Sequence, residues 1–222
     1  MKRFLPFAII ALVLLAAVLL AWRLIGSQRP GAPKSETSGP TAPPGAQPPH
    51  LRGDPNAPVT LEEYGDFQCP PCGLLYPELK KIESEYGSRL RVIFRERPLM
   101  LMHANALTAA RAAEAAGLQG RFWEMHDKLY ENQKTWSDLA DASPAFTDYA
   151  RSLGLDVDRF TRDLGSAAVE TRIFLDGARA HALGIEGTPT VYINDRPAPF
   201  PAFMTVDGLR PLINKALNGT GP

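Results

Sequence analysis

Only two cysteines, Cys69 and Cys72, and four histidines, His50, His103, His126 and His181, occur in this chain of 222 residues. A tetrahedral zinc site built on one Cys-x-x-Cys pair needs two more ligands. No third cysteine exists and the histidines are scattered at no ligand spacing, so a structural metal is set aside. Charge of one sign is also missing: 24 basic and 24 acidic side chains leave a formal net charge of zero. Nucleic-acid binding leaves a basic surplus or stripe, so no nucleic-acid partner is expected. With 45% hydrophobic residues the chain can build one core of ordinary size, and nothing signals a second one.

What is present is Cys69-Pro70-Pro71-Cys72, where an apolar strand gives way to a helical pattern. Two thiols at that spacing can close a disulfide on a first helical turn. Backbone N–H groups and the positive end of the dipole at a helix start lower the pKa of the first thiol and make it a nucleophile. A purely structural disulfide over so short a loop would constrain little of the unfolded chain. The pattern points to a redox-active pair that needs no metal or organic cofactor.

From Phe4 to Trp22 no residue is charged. At 1.5 Å per residue that run reaches roughly 28 Å, near the thickness of a bilayer core. The residues before Trp22 offer no clean small-x-small cleavage site, which favours an uncleaved anchor at 4–25, behind a cytoplasmic tip at 1–3, over a removed signal sequence. Lys2 and Arg3 on one side and Arg23, Arg29 and Lys34 on the other do not decide orientation. The thiol pair does, because exchange-competent cysteines behind an export segment belong in a disulfide-permissive space. The catalytic part is therefore expected outside a bacterial inner membrane, in the periplasm or its equivalent. Residues 26–52, with seven prolines from Pro30 to Pro49, lack apolar periodicity and read as a spacer of up to roughly 80 Å.

The folded part, 53–218, starts with a strand at Val59–Tyr64, then a helix from Cys69 to Gly87 and a strand at Leu90–Arg95. Strand, helix, strand implies a parallel pair and a right-handed crossover. Helical spacings then run over His103–Ala116, Arg121–Asn132, Ala145–Leu153, Val157–Leu164 and Ala167–Leu183, an inserted block at about 98–186. Leu101, Leu107, Phe122, Trp123, Met125, Leu129, Tyr130, Phe146, Phe160, Ile173 and Phe174 are its expected core, with His103 and His126 as capping or packing residues. A strand at Thr190–Ile193, a weak edge strand near Ala198–Phe203 and an amphipathic helix at Val206–Leu217 close an α/β domain.

Cys69-Pro70-Pro71-Cys72 after a strand, Gly187-Thr188-Pro189-Thr190 before the third strand and the helical block between them resemble the thioredoxin superfamily, and more narrowly its DsbA-like thiol:disulfide oxidoreductases. The resemblance covers about Asp54 to Leu217 and implies a thioredoxin fold with a helical domain between its βαβ and ββα halves. It implies that Pro189 follows a cis peptide bond and lies against the redox pair, with substrate backbone running extended beside Thr188 and Pro189. It also implies that Glu63, six residues before Cys69, is a buried acid able to take the Cys72 proton. A simpler alternative pairs Glu63 with Arg95 on the adjacent strand.

In this reading Cys69 is the exposed nucleophile and Cys72 the buried resolving partner. Pro70 and Pro71 tune the motif. Pro71 has no N–H to give the Cys69 thiolate, a loss of about 1.5–3 kcal/mol, or roughly 30–60 mV. That makes the pair less oxidising than relatives with histidine at this position, while the layout and export favour disulfide formation. Expected partners are exported proteins with thiols or disulfides and a membrane redox partner; no dimerisation segment is present, so the domain is expected to be monomeric. A reductase or isomerase fed by a membrane electron donor is the alternative, and a non-catalytic chaperone or binding module is the alternative of another class.

Overall fold

The computed structural model describes residues 42–219. The apolar run at 4–25 and the spacer as far as 41 lie outside the described residues. Among the described residues no helix is long and apolar enough to cross a membrane.

A five-stranded sheet, ordered β1-β3-β2-β4-β5, organises the domain. Its strands are β1 (His50–Gly53), β2 (Val59–Gly65), β3 (Leu90–Glu96), β4 (Thr190–Ile193) and β5 (Arg196–Pro197). β2 and β3 run parallel, joined by helix α1 (Pro70–Tyr86), as the strand–helix–strand pattern requires; the other pairings are antiparallel. Between β3 and β4 come α2 (Ala106–Gly117), α3 (Phe122–Glu131), α4 (Gln133–Trp136), α5 (Ser143–Ser152), α6 (Val157–Asp163) and α7 (Ala167–Ala182); α8 (Val206–Leu217) closes the domain. Side-chain caps start three of these helices: Asp156 accepts from Arg159 N–H, Ser166 from Val169 N–H and Thr205 from Gly208 N–H.

Alternation along the strands sends Val59, Leu61, Val92, Val191 and Ile193 to one face, against Leu75, Leu79 and Ile82 of α1 and Leu209 and Ile213 of α8. At the end of that face near the cysteines, Phe94 joins the core of the helical block, where the buried alanines of α2 allow close helix approach. The opposite face carries Tyr64, against Ala180 of α7 and Ile185.

Four expectations need correction. The strand expected at Ala198–Phe203 shrinks to Arg196–Pro197, because Pro197, Pro199 and Pro201 have no N–H to give a ladder. Leu101 is fully exposed, in a tight turn closed by Met102 N–H and His103 N–H on the Leu99 carbonyl, which also delays α2 to Ala106. Phe174 is 71% exposed, since the inward stripe of α7 is Val169, Ile173, Asp176 and Ala180. Finally, the described part of the proline-rich stretch, 42–52, is not a spacer. His50–Gly53 forms the edge strand β1, and buried Ala46 donates to Asp176 while its carbonyl accepts from Arg95. Prolines lack N–H groups but keep their carbonyls, and those of Pro43 and Pro48 accept from Arg179 and Arg172.

Arg95 ties this stretch to the sheet, with Nε 2.7 Å from Glu62 and Nη1 3.0 Å from Asp176, all three residues buried. Arg95→Met is expected to lower stability by about 3–5 kcal/mol in urea unfolding, because it leaves buried carboxylates short of their cation. A loss under about 1 kcal/mol, the size of a surface pair, would show that these charges are solvated after all.

Candidate functional site

Cys69 is the N-cap of α1, with extended backbone angles, and Pro70 and Pro71 form the first helical positions, where missing N–H groups cost least. Both prolines are exposed. The first helical N–H groups left are those of Cys72, which supports the Cys69 sulfur, and of Gly73, which donates to the Cys69 carbonyl at 3.2 Å. Both thiols are free, and the turn separates them: Cys69 keeps 5% of its surface exposed and Cys72 none. Cys69 is thus less exposed than the nucleophile expected from sequence, reaching solvent only at the rim.

Across from the helix start, the Thr188–Pro189 peptide is cis and Pro189 is buried. The Thr188 carbonyl oxygen lies 3.3 Å from Cys69 Sγ, where the thiol donates to it. The buried Thr188 hydroxyl has no hydrogen-bond partner among the described residues. It is a donor within reach of the same sulfur once that sulfur is an anion.

The two sulfurs have opposite acidities. A hydrogen bond from the Cys72 thiol, helped by the Thr188 side chain and the Cys72 N–H, lowers Cys69 to about 6 against the opposing effect of burial and of the Asp66 charge. Cys72 is pushed well above an ordinary thiol by burial and by holding its proton toward Cys69, with Glu63 adding to the rise. Glu63 is itself raised to about 8, by burial first and then by the nearby Glu83 carboxylate, with Arg52 opposing. Its Oε1 has no hydrogen-bond partner among the described residues.

The expected alternative, a Glu63–Arg95 pair, is excluded by register. Glu63 faces Phe94 across the parallel ladder and Arg95 faces Tyr64, so Arg95 emerges on the other side of the sheet, beside Glu62. His103 and His126 both bond carboxylates: His103 Nδ1 is 2.7 Å from Asp66, and His126 Nδ1 is 2.9 Å from Asp127. Burial holds His126 down to about 4, a neutral ring packed edge-on against Phe94.

Two further residues hold the site. Asp66 accepts from Gln68 N–H and Leu99 N–H, while its backbone carbonyl accepts from Cys69 N–H. Gln133 of α4 donates to the carbonyls of Phe67 at 2.7 Å and Cys69 at 2.9 Å. That approach needs Gly73, where a Cβ would stand 2.2 Å from Gln133 Oε1. The Gly65-Asp66 turn signal could have pointed to Asp66. No local pattern marks Gln133, whose role comes only from the folding of the helical block onto α1.

Residues 46–215 match the family model described as thioredoxin. A Na(+)/H(+) antiporter NhaA 1 of Mycolicibacterium gilvum is 39% identical over 151 residues, covering 66% of this chain and 23% of that protein. The chain thus spans about a quarter of the length of the curated relatives it matches. Among solved structures, a thioredoxin-like oxidoreductase from Silicibacter pomeroyi superposes with a TM-score of 0.64 at 27% identity, over 76% of this chain and 91% of that one. Oxidised BdbD from Bacillus subtilis gives 0.70 at 24% identity, over 81% and 98%. DsbA2 from Pseudomonas aeruginosa gives 0.54 at 29%, over 65% and 79%.

A thiolate titrating at about 6 fixes a sign: the Cys69 anion is present above that pH and lost as pH falls through it. Ultraviolet thiolate absorbance of the reduced protein is expected to rise through this pH, and Cys72→Ala to move the rise upward by removing the strongest donor to Cys69. Coincident titrations in the two proteins would show that Cys72 does not hold the anion.

Proposed function

Because the chain belongs to the thioredoxin family and has the DsbA-like architecture, we propose that Cys69 and Cys72 exchange disulfides with protein thiols. The observation that carries this reading is the split between a rim sulfur held acidic and a sealed sulfur held protonated beside an unpartnered carboxyl. In the oxidising direction a substrate thiolate attacks Cys69 Sγ, the Cys69–Cys72 bond breaks, and Cys72 leaves with the bonding pair and takes a proton. A second substrate thiolate then attacks the substrate sulfur of the mixed disulfide, closing the substrate's disulfide and releasing Cys69 as a thiolate. Two electrons end on the pair. In reverse, the Cys69 thiolate attacks a substrate disulfide, then Cys72 yields its proton to Glu63 in its carboxylate form and attacks Cys69 Sγ, expelling the substrate thiolate.

The substrates we propose are exported proteins, bound as extended backbone beside Thr188 and Pro189. The apolar run at 4–25 supports a domain outside the cytoplasmic membrane, and that compartment together with stabilisation of the Cys69 anion favours net disulfide formation. A membrane redox partner reoxidises the pair. That a protein named as a membrane antiporter contains a matching stretch supports a domain working close to a membrane. The absent N–H at Pro71 favours a second reading, a reductase or isomerase kept reduced by a membrane donor.

Purified protein is expected to accelerate insulin reduction and to form a mixed disulfide with glutathione, both abolished in Cys69→Ser. Full biological effect in Cys69→Ser would instead identify a non-catalytic binding module. Glu63→Gln is expected to slow resolution of the mixed disulfide by about tenfold or more while the first attack by Cys69 stays near wild type. Unchanged rates in both steps would remove Glu63 from the reaction.

A further inference from the structure

Every cycle of such a pair puts one proton on Cys72 or takes one off, yet Cys72 and Glu63 are 0% and 2% exposed. The sheet register indicates where that proton goes. Glu63 and Gly65 share a face of β2, and their β3 partners on that face are Phe94 and Glu96. A Cβ on Gly65 would stand 2.9 Å from the Tyr130 hydroxyl oxygen, so this phenol from α3 rests on the backbone where Gly65 leaves room. It lies in the row of Glu96, one row from Glu63. Tyr130 Oη, Glu63 Oε1, both Glu96 carboxyl oxygens and Glu114 Oε1 are all buried without a hydrogen-bond partner among the described residues. The second Glu114 oxygen is 2.9 Å from His50 Nε2 and accepts from Arg172 Nε at 2.6 Å. His50 stands opposite Phe94 on β1, with its side chain 15% exposed.

We propose that Tyr130, Glu96, Glu114 and His50, joined by internal water, carry the Cys72 proton between Glu63 and solvent. The inference rests on the reading of Cys69 and Cys72 as an exchanging pair. Buried polar groups are almost always hydrogen-bonded, and internal water occupies polar gaps that offer it two or more partners. These five oxygens belong to residues near enough to act on one another in sequence, Glu63 and Glu96 on Tyr130 and Glu114 on Glu96. When Cys72 attacks, its proton passes to Glu63; the Tyr130 hydroxyl accepts from that side and gives its own proton on toward Glu96, and one proton emerges at His50. No electron travels this way. The groups facing Glu96 are Tyr130 from α3, Glu114 from α2, Asp176 and Arg172 from α7 and Asp66 after β2; burial and the acidic neighbours raise it well above an ordinary carboxyl.

The test follows single-turnover resolution of a mixed disulfide between Cys69 and a small thiol peptide in the full chain, over a range of pH and in light and heavy water. Tyr130→Phe and Glu96→Gln are each expected to slow the Cys72 step about tenfold or more, the scale of a lost acid–base group. Each should also flatten its pH profile, spare the first attack by Cys69 and add little to Glu63→Gln. Glu83→Gln, which removes a charge that raises Glu63, is expected to move the pH profile of the Cys72 step to lower pH without flattening it. Wild-type protein that forms no mixed disulfide would overturn the redox reading itself. Wild-type protein that resolves it normally, with folded Tyr130→Phe resolving at the same rate at every pH, would overturn the route alone. Flattening of that profile by Glu83→Gln in place of Tyr130→Phe would also overturn it, moving the exit to Arg52. If Glu96→Gln does not fold, Tyr130→Phe decides the matter, since it keeps the ring and removes only the hydroxyl.

Discussion

Two sulfurs on one helical turn are held in opposite surroundings, and the chemistry assigned to this chain depends on keeping them so. Cys69, at the N-cap of α1, meets the Thr188 carbonyl and the donors of the first turn; Cys72, three residues on, points into the core above Glu63. A helix start is the one place where such closely spaced side chains diverge this far, since the cap residue is still extended while the next residues are already wound. The two prolines stiffen that turn and remove donors from it. The Cys69 anion therefore leans on Cys72 itself more than on the helix backbone.

The helical block does more than enlarge the core. Gln133 reaches the Phe67 and Cys69 carbonyls, the Gln68 side chain accepts from Asn105 N–H and donates to the Ser137 carbonyl, and Asp66 anchors the turn at Leu99. The peptide units around the motif are thus held by the helical block. Tyr130 belongs to the same block and packs on Phe67 and Tyr76, which joins the block's aromatic core to the underside of the active site.

The elements around Cys69 and Cys72 were legible because they are local. A strand, a Cys-x-x-Cys helix start and a Thr-Pro before a strand each announce themselves in a few residues, and apolar spacing located five of the six helices of the block to within a turn or so, missing the short α4. The errors come from non-local effects. Glu62 and Glu63 are adjacent, and only the register with β3 shows that Arg95 serves the former and leaves the latter unpaired. A stretch whose prolines cannot donate looked unstructured, yet arginines from β3 and α7 capture its carbonyls. Neither Gly65 nor Gly73 signals what it makes room for; Tyr130 and Gln133 lie more than fifty residues away in the chain.

The central claim is that the reduced pair holds one anion and one thiol at neutral pH, and its most direct test is the reduction potential against glutathione as a function of pH. While both reduced sulfurs carry protons, two protons accompany two electrons and the potential falls by about 60 mV per pH unit; once Cys69 is an anion the slope halves to about 30 mV. The account predicts that halving near pH 6. A single steep slope continuing into the range where ordinary thiols ionise would contradict it.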